Sequence, residues 1–574
     1  MTATPIWFGP EERLLFGWCH APDDGLARGV VVLCPTIGIE AVNSHAALRR
    51  LAERLATAGL VVLRFDYDGT GDSTGTQADP GRVSTWLASI RTAIAWARAL
   101  EVGSVTVIGL RIGATLAAAE ISQSGGVDAL VLWDPCFSGR RLLREQQVLG
   151  AFIIGSKEMP TDGSVETPGL VYGPETVADL SALQLSDLDS PSGARLLVLL
   201  REGRKIDARA STWLVERGAE VGSTVGQDQL IDVEPFAAVV PEATLDRIAT
   251  WVSEGAVAPL MPVVAPTVRR AVVGHDEQGR PIIEKPVLLG SLGLFGMITE
   301  VEGVEDAPLV LFSNAGRISH VGPARLWVEL ARQWAPAGLR SLRFDLSGLG
   351  DSPVHEGQVP GEPVPPEGLD DMREVLGVVF AETPSAVVLV GLCSGSCHAI
   401  EGAFAQAVDG ICAVNPVLNF TPPEARAGRE VDARRRASGT TRRWARMLPA
   451  HGILGPWMDR LPNVAWWMVN RFVVESPPAC TLERLVDTGA DVFIIAGANE
   501  VRVLSRGRNR HLRRLAQSGR FQLHSIPTLE HTLFEADGRR LAAQLLTDHV
   551  IGRFAPSTSP NLPFFGSGRA KVVP

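Results

Sequence analysis

The sequence predicts an α/β protein of two tandem units, each a mostly parallel sheet flanked by helices, and three observations carry that prediction. The segment Leu63-Arg-Phe-Asp-Tyr-Asp-Gly-Thr-Gly-Asp-Ser73 recurs as Leu342-Arg-Phe-Asp-Leu-Ser-Gly-Leu-Gly-Asp-Ser352, an offset of 279. Val105-Thr-Val-Ile-Gly-Leu-Arg-Ile-Gly113 recurs as Val387-Val-Leu-Val-Gly-Leu-Cys-Ser-Gly395, an offset of 282. Solenoid repeats run about 20–50 residues, so a period this long marks a duplicated domain. Third, apolar runs alternate with helical patterns in both copies, the βαβ signature of a parallel sheet.

The elements follow in the same order in each copy. Leu14–Gly17 and Gly293–Gly296 are matching entry strands, followed by the buried-strand runs Gly29–Cys34 and Leu309–Phe312. Helical patterns over Ala46–Ala58 and Ala324–Ala337 come next, and each leads to a strand ending in FDxxGxGDS. A further helix then leads to a third apolar run, which ends in a Gly-Leu-x-x-Gly turn before another helix of small residues. Gly, Pro and an Ala/Val mix make 259–281 a linker between units at 1–258 and 282–555, and 556–574 an irregular tail.

Composition sets the limits. Of 574 residues, 45% are hydrophobic and 21% charged, which excludes global disorder and fibrous architectures. A net charge of −10 argues against a nucleic-acid partner, because phosphate binding needs a basic excess. Four of the 54 basic residues are lysine, a bias that fits genome composition better than function. Seven cysteines without zinc spacing argue against a disulfide framework and a structural metal. No signal peptide or membrane span is legible, so a cytoplasmic location is expected.

Chemistry would sit at the Gly-x-x-x-Gly turns. In a strand–turn–helix of pattern G-x-Nuc-x-G, one side chain is lifted from the sheet edge and the glycines relieve crowding. Gly391 and Gly395 flank Cys393, whereas the corresponding neighbours of Ser394 would be Leu392 and Ser396, so the register selects Cys393 as nucleophile. With this turn and the FDxxGxGDS strand, both halves resemble the α/β-hydrolase superfamily, in particular its lipase/esterase-like branch. The resemblance implies two tandem α/β-hydrolase domains and, in the second, a helical lid at about 417–485.

It also implies an acid and then a histidine on loops after late strands. Glu500 takes the acid position in Asp491-Val-Phe-Ile-Ile-Ala-Gly-Ala-Asn-Glu500, with Asp487, Asp491 and Asn499 as rivals. His531, between the strand Phe521–Ile526 and the final helix, takes the histidine position; among eleven histidines, His320, His398 and His524 compete. Cys397, one turn beyond the nucleophile, is expected to be packing. The oxyanion would be met by the N–H of Ser394 and one from Asn314, Ala315 or Gly316.

The first copy cannot react, because Arg111 stands where its nucleophile belongs and Asp232–Pro241 has no histidine. Arg111 is either part of a degenerate packing domain or a binder of an anion or substrate carboxylate. In the second copy's insertion, eight arginines from Arg426 to Arg446 precede an apolar part with Trp457, Trp466 and Trp467. A solvated helix face is one reading of the charge run. The other is a lid that covers an acyl chain through Trp444, Trp457, Trp466 and Trp467 and docks an acidic partner, a carrier protein or CoA. A cysteine at the elbow, as in polyhydroxyalkanoate synthases and dienelactone hydrolases, is compatible with both transfer and hydrolysis. The expected function is a Cys-His-Glu acyl-transfer enzyme acting on a small-molecule ester or thioester, without metal or organic cofactor. The alternative is a non-catalytic pair of pseudo-hydrolases acting as a binding or scaffold protein.

Overall fold

The apolar runs of the sequence become the inner strands of two separate sheets. The computed structural model describes residues 1–155, 160–189, 193–264, 268–304, 306–416, 478–505, 509–556 and 571–572. The first sheet contains β1 (Thr2–Phe8), β2 (Leu15–Ala21), β3 (Gly29–Cys34), β4 (Val61–Phe65), β5 (Ser104–Leu110), β6 (Ala129–Trp133), β7 (Arg195–Arg201) and β8 (Glu220–Thr224). Their order is β1-β2-β4-β3-β5-β6-β7-β8, parallel from β4 to β8 with β1 and β2 antiparallel at the edge. Val30–Leu33 are buried because helices cover both faces, which explains a run with no polar alternation.

The second sheet contains β9 (Ala271–His275), β10 (Pro281–Leu289), β11 (Leu294–Val301), β12 (Leu309–Phe312), β13 (Arg340–Phe344), β14 (Val387–Leu392), β15 (Gly410–Val414), β16 (Asp491–Ala496), β17 (Phe521–Ser525) and β18 (Lys571–Val572). Its order is β9-β10-β11-β13-β12-β14-β15-β16-β17-β18, which is the first sheet's order with one strand added at each edge. Both additions correct the sequence reading. The expected linker 259–281 holds β9, which forms a hairpin with β10 across a turn where Asp276 accepts the N–H groups of Gln278 and Arg280. Within the expected tail 556–574, β18 pairs with β17, adding a strand to an otherwise open sheet edge.

Two helices also depart from their expected bounds. The helix expected from Ala46 begins at Ile39, because its first turns bury Glu40, Asn43 and Ser44, polar residues that find partners and interrupt the apolar pattern. Asn43, for example, donates to the carbonyls of Ile231 and Val233. The helix expected over Ala324–Ala337 is confined to Leu326–Trp334, with Ala324 and Arg325 at positive φ before it and a 3₁₀ turn holding Pro336 after it. The expected lid segment 417–485 is described from 478 onward, where the helix Pro478–Asp487 packs Leu482 and Leu485 into the core of the second sheet. Trp444, Trp457, Trp466 and Trp467 lie outside the described residues.

The repeated FDxxGxGDS segments form equivalent turns, and their aspartates join the two sheets. Gly71 and Gly350 both have φ of +48, and a Cβ at either would collide with the carboxylate of Asp66 or Asp345. Ser73 donates to the Asp66 carbonyl and accepts the Phe16 N–H, as Ser352 does with Asp345 and Phe295. Asp72 then crosses to the second sheet, where it meets Arg343 at 2.5 Å and His320 at 2.6 Å. Asp351 crosses the other way, to Arg64 at 2.6 Å and His45 at 3.2 Å. Arg325 adds bonds to the carbonyls of Gly71, Ser73 and Gly75, which accounts for its unusual backbone. This seam lines a partly open pocket of about 190 Å³ bordered by Trp18, Trp86, Ile318 and Phe534.

Arg343, Asp72 and His320 are buried, so their charges depend on one another. Burial opposes the imidazolium of His320, but Asp345 and Asp72 outweigh it and lift its pKa to about 10. Burial likewise opposes the Asp72 carboxylate, and Arg343 and His320 overcome it, holding the carboxyl below its ordinary range. The raised histidine contributes stability fully below its unfolded value, near 6.5, and loses it as pH rises through about 10. The depressed aspartate contributes above the ordinary carboxylate pKa of about 4 and loses stability as pH falls below it. Arg343→Met is expected to cost about 3–5 kcal/mol by leaving buried carboxylates short of a partner, measured by denaturant unfolding. His320→Gln should flatten the alkaline decline in melting temperature between about pH 6.5 and pH 10.

Candidate active site

The two Gly-x-x-x-Gly turns have the same backbone and different chemistry. Cys393 sits at φ 56°, ψ −116° and Arg111 at φ 55°, ψ −122°, each immediately before a helix, Ser394–Ala405 or Ile112–Ser124. Each donates its N–H to the end of the adjoining strand, Cys393 to Val414 and Arg111 to Trp133, both at 3.0 Å. Positive φ at a residue with a side chain costs on the order of 1–3 kcal/mol and persists only where the surroundings enforce it. Here they do: a methyl at Gly391 would strike the Gly395 backbone, and one at Gly395 the Asn314 carbonyl. Close packing of the following helix onto the strand therefore sets both glycines and pushes Cys393 out at the sheet edge.

His531 and Glu500 meet Cys393 there. His531 Nε2 lies 3.1 Å from Cys393 Sγ, and Nδ1 lies 3.1 Å from Glu500 Oε1. Hydrogen bonding to Cys393, and then to Glu500, lifts the His531 pKa to about 10. The bond to His531 in turn lowers that of Glu500. The three come from separate strand ends, after β14, β16 and β17, so only the folded sheet brings them together. Cys393 and His531 are partly exposed, which leaves the sulfur open to a reactant.

The rival residues, Asn499 apart, lie elsewhere. His320 is held in the seam, His524 is on β17 against Phe493, and His398 is buried on the helix after Cys393. Asp491 pairs with Arg553 and His549, Asp487 ends the helix before β16, and Cys397 is buried. Asn499 is next to Glu500 in the first turn of the helix Ala498–Ser505.

The expected oxyanion residues divide into two groups. Ser394 supplies a backbone N–H in the first turn of its helix, where donors lack carbonyl partners within the helix. Gly316 reaches the same place, but its N–H donates to Ser394 Oγ at 2.8 Å, so that hydroxyl occupies the donor expected to face an oxyanion. Asn314 is a brace: its amide donates to Asp345 and to the Ile318 carbonyl, and its oxygen accepts the Leu346 N–H. Ala315 is buried, and its carbonyl accepts the N–H of Ile318.

Sequence reasoning passed over Asn415, which holds the acid and histidine loops together. Its amide donates to the carbonyls of Glu530 and His531, both at 3.1 Å, and its oxygen accepts the Gly497 N–H at 2.9 Å. A usable signal was present, since Asn415 and Asp134 are polar residues at the ends of matching strands. Glu530 also escaped notice, although its carboxylate gathers the N–H groups of Thr532 and Phe534 and the Thr532 hydroxyl.

Arg111 is buried among its own counter-ions. Its guanidinium meets Glu145 at 2.9 Å, Glu40 at 3.2 Å and Asp134 at 3.5 Å, and Asp134 also receives Arg201 and Arg204. Of the two readings of Arg111, the packing one fits this cage of carboxylates from its own half better than the binding of an outside anion. Among the described residues, no group of three or more His, Cys, Asp or Glu could hold a metal, and no helix is long and apolar enough to cross a membrane.

No protein-family model and no curated protein matches the chain. Among solved structures, it is similar to Est1E from Butyrivibrio proteoclasticus at 14% identity and a TM-score of 0.32, over 44% of this chain and 98% of that one. It is similar to the Pyrococcus furiosus esterase Pf2001 at 17% identity and a TM-score of 0.31, over 44% of this chain and 91% of that one. An esterase domain from a Rhodothermus marinus protein matches at 15% identity and a TM-score of 0.31, over 44% of this chain and 99% of that one.

Asn415→Ala removes the amide that ties both loops. It is expected to destabilise the chain by about 1–3 kcal/mol and to slow alkylation of Cys393, followed by thermal melting and by mass spectrometry of the labelled peptide.

Proposed function

We propose that the chain is a tandem α/β-hydrolase-fold enzyme that transfers acyl groups through Cys393, with His531 and Glu500 as its partners. The observation that carries this reading is the unbroken relay Cys393–His531–Glu500, with both links at 3.1 Å. Supporting it are the strained turn at Cys393 and the shared strand order of the two sheets. In this reading residues 282–555 are the catalytic unit and 1–258 a unit without a nucleophile.

The chemistry follows from the positions. His531 holds the proton shared with the sulfur, Glu500 fixes its orientation, and the sulfur attacks the carbonyl carbon of an ester or thioester. The carbonyl oxygen gains the negative charge in the tetrahedral intermediate, where the Ser394 N–H meets it. Rotation of Ser394 Oγ away from Gly316 frees a second donor. As the intermediate collapses, the bond to the leaving alcohol or thiol breaks, and His531 protonates the departing group. An S-acyl Cys393 remains; water, an alcohol, an amine or a thiol then gives its proton to His531 and takes the acyl group. A thioester intermediate suits all four acceptors, and the donor class extends to CoA or carrier-protein thioesters.

The test uses the whole chain with a panel of acyl thioesters and p-nitrophenyl esters, read by intact mass. An acyl adduct is expected on the wild type and not on Cys393→Ala, while His531→Ala should acylate about 10²–10⁴-fold more slowly. Acylation is also expected to decline as pH rises through about 10, where His531 loses its proton, and that limb should vanish in His531→Ala. Absence of any adduct, with iodoacetamide labelling Cys393 no faster than Cys397, would favour the non-catalytic scaffold.

A further inference from the structure

The unreactive first half touches the loop that carries His531. A hairpin of Val165–Thr167 and Leu170–Tyr172 turns through Pro168 and Gly169. Gly169, at φ +79, donates its N–H to the Phe534 carbonyl at 3.0 Å, and a Cβ there would lie 3.3 Å from the Phe534 ring. Glu166 Oε1 accepts the N–H of Ala536 at 2.8 Å, at the start of the final helix Ala536–Phe554. Leu149, Ile153 and Ile154 of the same half pack against the core that holds Leu533 and Phe534.

The second half fastens the near part of this loop itself. Asn415 holds the carbonyls of Glu530 and His531, and Arg539 donates to those of Leu533 and Phe534. Leu533 has φ of +60, a conformation that surrounding contacts must maintain. The hairpin bonds fall immediately after that strained residue. The hairpin is anchored in turn: Tyr172 donates to Gln146 at 3.0 Å on the helix Gly139–Ile153, and the adjacent Glu145 meets Arg111. The residue that displaced a nucleophile in the first half thus helps brace the element that contacts the histidine loop of the second.

We propose that this hairpin is a positioning element for His531, and that Glu166 and Gly169 are positioning residues acting through the backbone at Phe534 and Ala536. The first unit then serves as a built-in brace for the second unit's chemistry. The inference rests on the proposed Cys393–His531 pair, so its test includes a control for that reading.

Iodoacetamide alkylation of Cys393 at pH 7 and steady-state ester turnover would be measured on full-length wild type, Glu166→Ala, Glu166→Gln, Gly169→Ala and His531→Ala. Glu166→Ala is expected to lower the alkylation rate and kcat about tenfold, with KM within about twofold. Glu166→Gln keeps an oxygen acceptor for Ala536 and should recover to within about twofold of wild type. Gly169→Ala crowds Phe534 and strains the turn, so it should repeat the loss by an independent route even if Glu166→Ala fails to fold. Wild-type alkylation and kcat in a folded Glu166→Ala or Gly169→Ala, with His531→Ala slow, would overturn the hairpin's role and leave the proposed function standing. Unchanged alkylation in His531→Ala would overturn the Cys393–His531 reading itself.

Discussion

The exchange of buried aspartates between the two sheets is the constraint on which the rest of the molecule depends. Asp72 is met by Arg343 and His320 of the other half, and Asp351 by Arg64 and His45. Each is the last aspartate of its own FDxxGxGDS segment, and each main cation is the arginine immediately before the other copy's segment. This is the reciprocal logic of a two-fold interface, residue i on j and j on i, written into one chain. Separating the halves would part each aspartate from its main cation, so both ion pairs are made only when the two sheets meet.

From the seam, order passes to the site through short connections. His320 joins Asp72 to Asp345, and Asp345 accepts the Asn314 amide from the loop beside Cys393. The same loop sends Arg317 to the carbonyl of Ala238 in the first half. The first half therefore contributes to the surroundings of Cys393, His531 and Glu500, which all belong to the second. The two strained turns make the division plain, since nearly identical backbone angles present a sulfur in one half and a guanidinium in the other. Geometry at the turn is set by glycine packing, and chemistry by the single side chain it projects.

Much of this was legible in the sequence because it depends on local rules. Strands buried on both faces are continuous apolar runs, as in Val30–Leu33 and Val387–Leu392. Close packing behind a nucleophile turn needs glycine two residues either side, so Gly391 and Gly395 set the register of Cys393. Chain order brought Glu500 and His531 forward as partners, and in the structure Glu500 lies within hydrogen-bond distance of His531, and His531 within hydrogen-bond distance of Cys393. What escaped were features whose reason lies far along the chain. The early start of the helix at Ile39 follows from partners for Glu40 and Asn43, and the break at Ala324–Arg325 from carbonyls of the other half. Asn415 and Glu530 act by bonding backbone groups of neighbouring loops, and such bonds leave no periodicity to detect.

By itself, the sequence determined the repeated segments, the sheet-forming runs and the identity of the residue at each turn, because these are matters of pattern and of covalent identity. Only the tertiary structure decided what Asp72, His320 and Arg111 do. A charged residue reads as surface by composition, and its burial becomes tolerable only when a partner from a distant segment meets it. The aspartate seam, the carboxylate cage around Arg111 and the hairpin against the His531 loop all arise where segments far apart in sequence come together.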